Sequence, residues 1–207
     1  MFNGLIREIA EVVSFSGNSL RIRAKFRPEH IGDSIAINGA CLSVTQILAD
    51  GFVVEISSET AGLIATQNFR GRVHIEPAMR LGERIDGHLV QGHIDGVGEI
   101  TKITKLKSGY DFFINLPKNL MPFVANKGSV AIDGVSLTIN EVLPNAIRLT
   151  IIPQTMKDTL FGEFKTGRKV NVETDLLARY AARILGFVGE KKESLSWDQV
   201  NLISSLY

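Results

Sequence analysis

The chain has 207 residues, and its 23 Lys and Arg against 22 Asp and Glu give a formal net charge of +1 at pH 7. This balance gives no electrostatic footprint for nucleic acid or an anionic membrane, and no apolar run approaches the ~18 residues of a transmembrane helix. The first residues lack the pattern of a signal peptide. Cys41 is the only cysteine, so no internal disulfide can form and we expect a cytoplasmic protein.

Short β-strands are predicted along most of the chain. The segments are rich in Val, Ile and Phe, and turn residues such as Asp50-Gly51 separate them. Brief helical turns are predicted at 118–126 and after Thr60 and Thr155. The spacing is typical of barrels or sandwiches. The clearest predicted strands are 34–38, 51–56, 72–76, 110–116, 146–152 and 169–173.

The pattern changes near the C-terminal end, where 174–187 (TDLLARYAARILGF) carries apolar residues at helical spacing. Thr174 or Asp175 is the predicted cap, and Gly186 the predicted stop. A polar break follows, and then a second possible helix at 195–206. The sequence therefore predicts a helical end after a β-rich body.

The body of the chain contains an internal sequence repeat. SIAINGACLSV and SVAIDGVSLTI are identical at five of eleven positions, and other matches follow in the same order. Collinear matches of this kind predict two similar units of about 85–95 residues. The matched segments are 4–12 with 92–100, 34–44 with 129–139, 57–65 with 152–160, and 73–76 with 170–173.

Two histidines, His88 and His93, lie five positions apart in DGHLVQGHID. Residues an odd number apart on a strand point to opposite faces, so the pair is not expected to share a metal ion. No phosphate loop, dinucleotide fingerprint, CxxC, HExxH or GxSxG is present. The two copies differ where chemistry would matter, because His93 aligns with Leu5 and Cys41 with Ser136. We therefore expect one half to be specialised, and take His88 as structural.

The segments MFNG, GDSIAINGACLSV, GHLVQGHIDGVG and KGSVAIDGVSLTI resemble those of the riboflavin synthase family, from Met1 to about Gly186. The resemblance implies an all-β fold of two tandem, similar six-stranded Greek-key β-barrels followed by a C-terminal α-helix. It implies lumazine-binding barrels at 1–88 and 89–174, and a trimerisation helix with a tail at 175–207.

The same resemblance implies an activity. Two molecules of 6,7-dimethyl-8-ribityllumazine react, one gives a four-carbon unit to the other, and riboflavin and 5-amino-6-ribitylaminouracil leave. No metal or redox cofactor takes part. The implied assembly is a homotrimer whose site lies between subunits, with lumazine synthase as a candidate partner.

Four residues match catalytic positions of the family. His93 is the implied proton-transfer group, since histidine titrates near neutral pH; the alternative is a structural histidine. Cys41 is a candidate nucleophile or ring contact, or a small buried residue. Ser34 would assist addition, with water as the competing nucleophile or a turn as its structural role. Asp175 would lie near the site, or cap the helix and pair with Arg179.

Binding residues carry over from the same motifs. Glycine-flanked strands would present backbone groups to the ring, and neutral hydroxyls would meet the ribityl chain. Phe2 would cover a ring or belong to the core, and Lys127 would come from the neighbouring chain. The implied binding residues are Phe2, Gly4, Leu5, Ile6, Cys41, Leu42, Ser43, Glu55, Ile56, Ser57, Ser58, Glu59, Thr60, Gly92, His93, Ile94, Lys127, Ser136, Leu137, Thr138, Ile151, Ile152, Pro153, Gln154 and Thr155.

Two other classes of protein compete with the enzyme. A non-catalytic lumazine- or flavin-binding protein would share the scaffold and tend to lose the reactive groups, but Cys41 and His93 are both present. A flavin-dependent reductase would need a nicotinamide-binding half, and its fingerprint is absent.

Overall fold

The computed structural model describes residues 1–190 as two closed six-stranded barrels in tandem, followed by one helix. The fold class predicted from the sequence is confirmed, whereas the predicted helix at 195–206 lies outside the described residues. The first barrel contains β1 (Glu8–Ser16), β2 (Ser19–Arg23), β3 (Ser34–Ile37), β4 (Ala40–Leu48), β5 (Gly51–Glu55), α1 (Ser58–Leu63) and β6 (Gly71–Pro77). The second contains β7 (Gly96–Lys105), β8 (Tyr110–Asn115), β9 (Ser129–Ile132), β10 (Val135–Leu143), β11 (Ala146–Ile151), α2 (Pro153–Asp158) and β12 (Lys169–Thr174), and α3 (Leu176–Glu190) follows.

Both barrels are closed by the same antiparallel strand order, β1-β2-β5-β4-β3-β6 and β7-β8-β11-β10-β9-β12. Register shifts fall at matching places in the two copies, at 12–14 and 100–102 in the first strands and at 44–46 and 139–141 in the fourth. Such bulges bend a strand and increase its twist, which helps a small sheet to close. Each barrel is filled by its own apolar side chains.

The turns after β3 and β9 meet at the contact between the barrels. Asn38-Gly39 and Asp133-Gly134 have positive φ at both residues, the conformation of a two-residue hairpin turn. A Cβ added to Gly39 would lie 2.6 Å from the Gly134 nitrogen. Glycine is therefore required both by the turn and by the approach of the two backbones.

Two extended segments cross between the barrels: the N-terminal arm (residues 1–7) and the linker arm (residues 88–95). Phe2 and Val90 pair in an antiparallel bridge, with N···O distances of 2.7 and 3.0 Å. Ile6 packs on the second core and Ile94 on the first. Each arm thus precedes one barrel and lies against the other, and the predicted boundary at 88/89 stays a prediction.

His74 on β6 is buried at this contact, with 1% of its surface exposed. Its Nδ1 lies 2.8 Å from the carbonyl oxygen of Asp133, and its Nε2 accepts the N–H of Leu160 at 2.7 Å. A carbonyl only accepts and an amide only donates, so the ring is the neutral tautomer with its proton on Nδ1. Burial lowers the pKa of His74 to about 4.

Helix α3 begins directly after Asp175, whose Oδ1 accepts the N–H of Leu177 at 2.8 Å. This is the capping alternative foreseen for Asp175. One stripe of the helix is exposed, since Leu177, Tyr180 and Ile184 have 60–66% of their surface accessible. No helix within residues 1–190 is both long and apolar enough to cross a membrane.

Candidate functional site

Cys41 and His93 line one small cavity against the first barrel. Its volume is about 170 Å³. The walls come from β4, from α1 with the residues around it, and from the linker arm. The lining residues are Ala40, Cys41, Glu59, Thr60, Leu63, Ile64, Gly92, His93 and Ile94. Six predicted site residues, from three separate parts of the sequence, therefore meet here.

The close approach of the linker arm to β4 depends on Gly92. Its φ is +78°, and a Cβ at this position would lie 2.6 Å from the Cβ of Cys41. The Cys41 N–H donates to the Gly92 carbonyl at 2.8 Å, which fixes the arm in register with the strand. Alternation along β4 turns Leu42 into the core and leaves Cys41 on the side that faces the arm.

A buried carboxylate holds each arm. The oxygens of Glu173 accept the N–H groups of residues 91–92 at 2.6 and 2.8 Å, and those of Glu76 accept the N–H groups of residues 3–4 at 2.9 and 3.1 Å. Burial raises the pKa of both carboxyls, that of Glu173 to about 7. Sequence reasoning did not select either glutamate, although the match of 73–76 with 170–173 places them at equivalent positions.

His88 serves the second barrel. Its Nδ1 lies 2.7 Å from the Oγ of Ser136, the residue that corresponds to Cys41. Its Nε2 is buried, and residues 1–190 offer it no hydrogen-bond partner. Burial lowers the pKa of His88, while the nearby Asp175 carboxylate raises it. His88, which the sequence indicated only as structural, thus lies beside a predicted binding residue, and the odd spacing directs His88 and His93 to different barrels.

The N-terminal arm mirrors the linker arm on the second barrel. The Ser136 N–H donates to the Gly4 carbonyl at 2.8 Å, and a Cβ on Gly4 would lie 2.6 Å from the Cβ of Ser136. Leu5 and Ile6 follow on this arm, as His93 and Ile94 follow Gly92. The structure therefore contains two related site edges. The first edge, formed by Cys41 and His93, carries a thiol and an imidazole. The second edge, formed by Ser136 and His88, carries a hydroxyl and an imidazole.

Ser34 lies outside the cavity of Cys41. It lines a larger cavity of about 660 Å³, together with Arg7, Glu76 and charged residues of the loop 77–86. Its partner across the strand ladder is Ser43. The structure does not bring Ser34 to His93 within this chain, and its catalytic role stays a prediction.

Other predicted binding residues follow the repeat. Residues 55–60 end β5 and begin α1, where Ser57 caps the helix by accepting the Thr60 N–H at 3.1 Å. Residues 151–155 end β11 and begin α2, whose N-cap residue Ile152 makes no side-chain cap hydrogen bond. Ser43, Thr138 and Leu137 lie on β4 and β10.

Phe2 and Lys127 are among the predicted residues that line neither of these cavities. Phe2 is fully buried, in a small cluster with Val90 that touches Cys41, which is the core alternative foreseen for it. Lys127 is exposed in the turn before β9, with a left-handed backbone at φ 66°. Within residues 1–190, no three His, Cys, Asp or Glu side chains converge closely enough to hold a metal ion.

The family model described as "Lumazine binding domain" matches the chain twice, at residues 3–78 and 91–175. The first match contains strands β1–β6 and the second contains β7–β12, so each match covers one barrel. Fold and family model together define a protein with two lumazine-binding domains.

Relatives give the narrower family. A riboflavin synthase of Photobacterium phosphoreum is 37% identical over 194 residues, covering 89% of this chain and 89% of its own. That of Bacillus subtilis (strain 168) is 34% identical over 200 residues, covering 93% of both chains. That of Brucella abortus (strain 2308) is 39% identical over 197 residues, covering 89% and 98%. The chain belongs to the riboflavin synthase family.

Solved structures share the fold. LumP complexed with 6,7-dimethyl-8-(1'-D-ribityl) lumazine matches with a TM-score of 0.73 and 22% identity, covering 84% of this chain and 99% of that one. LumP complexed with riboflavin matches with a TM-score of 0.74 and 24% identity over the same shares. At these identities the likeness supports the two-barrel fold alone.

Proposed function

We propose that the protein is a transferase that converts two molecules of 6,7-dimethyl-8-ribityllumazine into riboflavin and 5-amino-6-ribitylaminouracil. The observation that carries the proposal is the pair of related but unequal edges. A reaction between two copies of one molecule needs two similar binding surfaces. One of the two molecules must also donate the four-carbon unit while the other accepts it. Cys41 and His93 on one edge, and Ser136 and His88 on the other, supply that inequality.

The small volume of the cavity beside Cys41 supports a site between chains. Ligand pockets usually enclose about 300–1,000 Å³, whereas the cavity beside Cys41 has about 170 Å³. A second surface must therefore close the chamber. We propose that the first barrel of one subunit faces the second barrel of its neighbour in a homotrimer, with the exposed stripe of α3 at the subunit contact and Lys127 reaching the neighbour's ligand.

The proposed chemistry is proton transfer and addition between rings held in register. The donor loses a proton from its 7-methyl group, and the acceptor takes a nucleophile at carbon 7. His93 would move the proton, and Cys41 or a water would add to the ring. Asp175 is proposed to act through its charge on His88. Fixing two reactants in a productive geometry contributes up to roughly 7–11 kcal/mol in well-oriented systems.

The arms are proposed to hold the flat rings. The N–H and C=O of Gly92 are already engaged by Glu173 and Cys41, so Gly92 itself serves to bring the backbone close. We therefore assign the ring edge to the backbone of His93 and Ile94. Hydroxyl groups of predicted binding residues beside each edge would meet the ribityl chains, namely Ser43, Ser57, Ser58, Thr60, Thr138 and Thr155.

The surroundings of the enzyme follow from the same proposal. A reduced thiol at the site, Cys41, suits a reducing compartment, so we place the protein in the cytoplasm. Lumazine synthase is the proposed protein partner, because it would hand over the substrate directly.

Mixing the purified protein with 6,7-dimethyl-8-ribityllumazine tests the function. We expect riboflavin fluorescence to appear, with one riboflavin and one pyrimidine product for every two lumazines consumed. Tight lumazine binding without riboflavin would instead identify a binding protein. A yellow preparation that oxidises NAD(P)H without forming riboflavin would identify a reductase.

A further inference from the structure

Glu173 is a buried charge-bearing group that the proposed chemistry does not use. It lies near the end of β12 with 2% of its surface exposed. Burying a carboxylate is costly unless its oxygens are hydrogen-bonded. Its two oxygens accept the N–H groups of Gln91 and Gly92 at 2.6 and 2.8 Å. The carboxylate therefore binds the linker arm at the two residues immediately before His93.

Gly92 is held from both sides. Its N–H is bound by Glu173 of the second barrel, and its carbonyl accepts the N–H of Cys41 of the first. A single residue thus connects the buried carboxylate to the strand that carries the thiol. His93 is the next residue, so the backbone that carries its imidazole follows directly from the residue that Glu173 and Cys41 hold.

The two arm-holding carboxylates differ in their neighbours. In the repeat, Arg7 corresponds to Asp95. Arg7 lowers the pKa of Glu76 against the effect of burial, whereas Asp95 adds to burial in raising the pKa of Glu173. This difference between the two copies makes Glu173 easier to protonate than Glu76.

Asp95 is itself tied to helix α3. Its Oδ2 accepts both the N–H and the Oγ–H of Thr174 at 2.8 and 2.7 Å, and its Oδ1 lies 3.1 Å from the Nη1 of Arg179. Pairing of Arg179 with Asp175 was one of the alternatives for Asp175 from the sequence, and the ion pair that the structure gives Arg179 is with Asp95. The guanidinium lowers the pKa of Glu173, and so favours its charged form.

We propose that Glu173 is a positioning residue for His93: its ionised carboxylate holds the linker arm in the geometry that places the imidazole beside Cys41. The inference rests on the proposed function, since it assigns a purpose to that geometry. An ionised carboxylate accepts both arm amides, whereas a protonated one presents an O–H to one of them and loses that bond. Arg179 lies on α3 and pairs with Asp95, so the position of α3 is connected to whether Glu173 is ionised.

Glu173→Gln tests the proposal, with Glu76→Gln as the matched change on the other arm. A carboxamide offers one acceptor to two donors. For Glu173→Gln we expect kcat of lumazine dismutation to fall by roughly 10- to 100-fold, with KM changed less, because a small misplacement of a reacting group is costly. Glu76→Gln, which loosens the arm of Leu5, should act mainly on KM and lower kcat less.

Amide hydrogen exchange gives a readout that does not need activity. In Glu173→Gln the protection of the residue 91 and 92 amides should fall about tenfold or more, while residues 3 and 4 keep theirs; Glu76→Gln should do the reverse. In the unsubstituted protein, protection at Gly92 should decrease as the pH falls through about 7, where Glu173 takes up its proton. Asp95→Asn should move that decrease to lower pH.

Unchanged kcat and unchanged Gly92 protection in Glu173→Gln would overturn the proposal. If Glu173→Gln does not fold, Asp95→Asn decides, because Glu173 is intact there and an unmoved pH profile would be contrary to the proposal. If the unsubstituted protein forms no riboflavin, the proposed function fails, but the exchange data still show whether Glu173 positions the arm.

Discussion

Asn171 of the second barrel and His74 of the first occupy equivalent positions and make the same pair of hydrogen bonds across the contact between the barrels. Asn171 accepts the N–H of Ala65 at 2.7 Å and donates to the carbonyl of Asn38 at 2.8 Å. His74 likewise accepts one amide N–H and donates to one carbonyl. An asparagine therefore performs in one copy what a neutral imidazole performs in the other.

His74→Asn should remove a pH-dependent loss of stability. The pKa of His74 is lowered in the folded protein to about 4 from 6.5. Between these two pH values the unfolded chain binds a proton at His74 and the folded protein does not. Stability is therefore lost as the pH falls from about 6.5 towards 4. Between about pH 7 and about pH 5 we expect the unsubstituted protein to lose about 2 kcal/mol more than His74→Asn.

Urea unfolding of both proteins at several pH values measures this difference. Asp133, whose pKa burial raises to about 6, also titrates in this range, but the comparison of the two proteins largely removes its contribution. Equal pH dependence of the two proteins would contradict a neutral His74.

Gly39→Ala should destabilise the contact between the barrels. The new Cβ would lie 2.6 Å from the Gly134 nitrogen, at a φ of +83°. Gly17→Ala is the matched control, because Gly17 also has a positive φ, +60°, but nothing within 4 Å. We expect Gly17→Ala to cost about 1 kcal/mol of unfolding free energy and Gly39→Ala at least about 2 kcal/mol more. Equal losses in thermal or urea unfolding would show that the two turns do not need to touch.

His93→Gln should lower turnover more than substrate binding. The proposed task of His93 is proton transfer, and losing a general acid or base commonly costs about 10²- to 10⁴-fold in rate. Steady-state kinetics give kcat, and quenching of lumazine fluorescence gives the affinity. An unchanged kcat at saturating substrate would remove His93 from the mechanism.

Ser136→Ala should expose the contribution of the second edge. The substitution leaves the Nδ1 of His88 without its partner at 2.7 Å. We expect roughly a tenfold loss of kcat, the size expected for the loss of one hydrogen bond that holds a side chain of the site in position. Ser108→Ala, in the exposed turn before β8, is the control for loss of a serine hydroxyl. If both variants turn over equally, the His88–Ser136 contact has no part in the reaction.

Ile184→Asp should dissociate the proposed trimer. Ile184 lies in the exposed stripe of α3 with 61% of its surface accessible, and a charge buried in a subunit contact is costly. Sedimentation should give trimers for the unsubstituted protein and monomers with little activity for the variant. Leu81→Asp, at an exposed loop position, should remain trimeric. An active Ile184→Asp monomer would contradict a chamber shared between chains.

Much of the fold could be predicted because it is carried by local patterns. The strands alternate, the helix has its own period, and the duplication is visible in aligned motifs. Cys41 and His93 were each assigned to the site only through the family resemblance, and their meeting within one chain was not predicted. Nothing local indicates that an arm crosses to the other barrel, because the crossing is decided by long-range backbone contacts such as that of Gly92 with Cys41. For the same reason the purposes of His88 and Glu173 were not predicted.

The exchange of arms also limits how this protein can be divided. A fragment ending before residue 88 would contain the first barrel without the strip of backbone that lies on β4, and the remainder would lack the strip that lies on β10. In the intact polypeptide, each strip reaches its strand at an effective concentration set by covalent connection and independent of dilution. One half of each proposed ligand chamber is thus assembled within a single chain, and in the proposed trimer only the opposite wall would depend on how much protein is present.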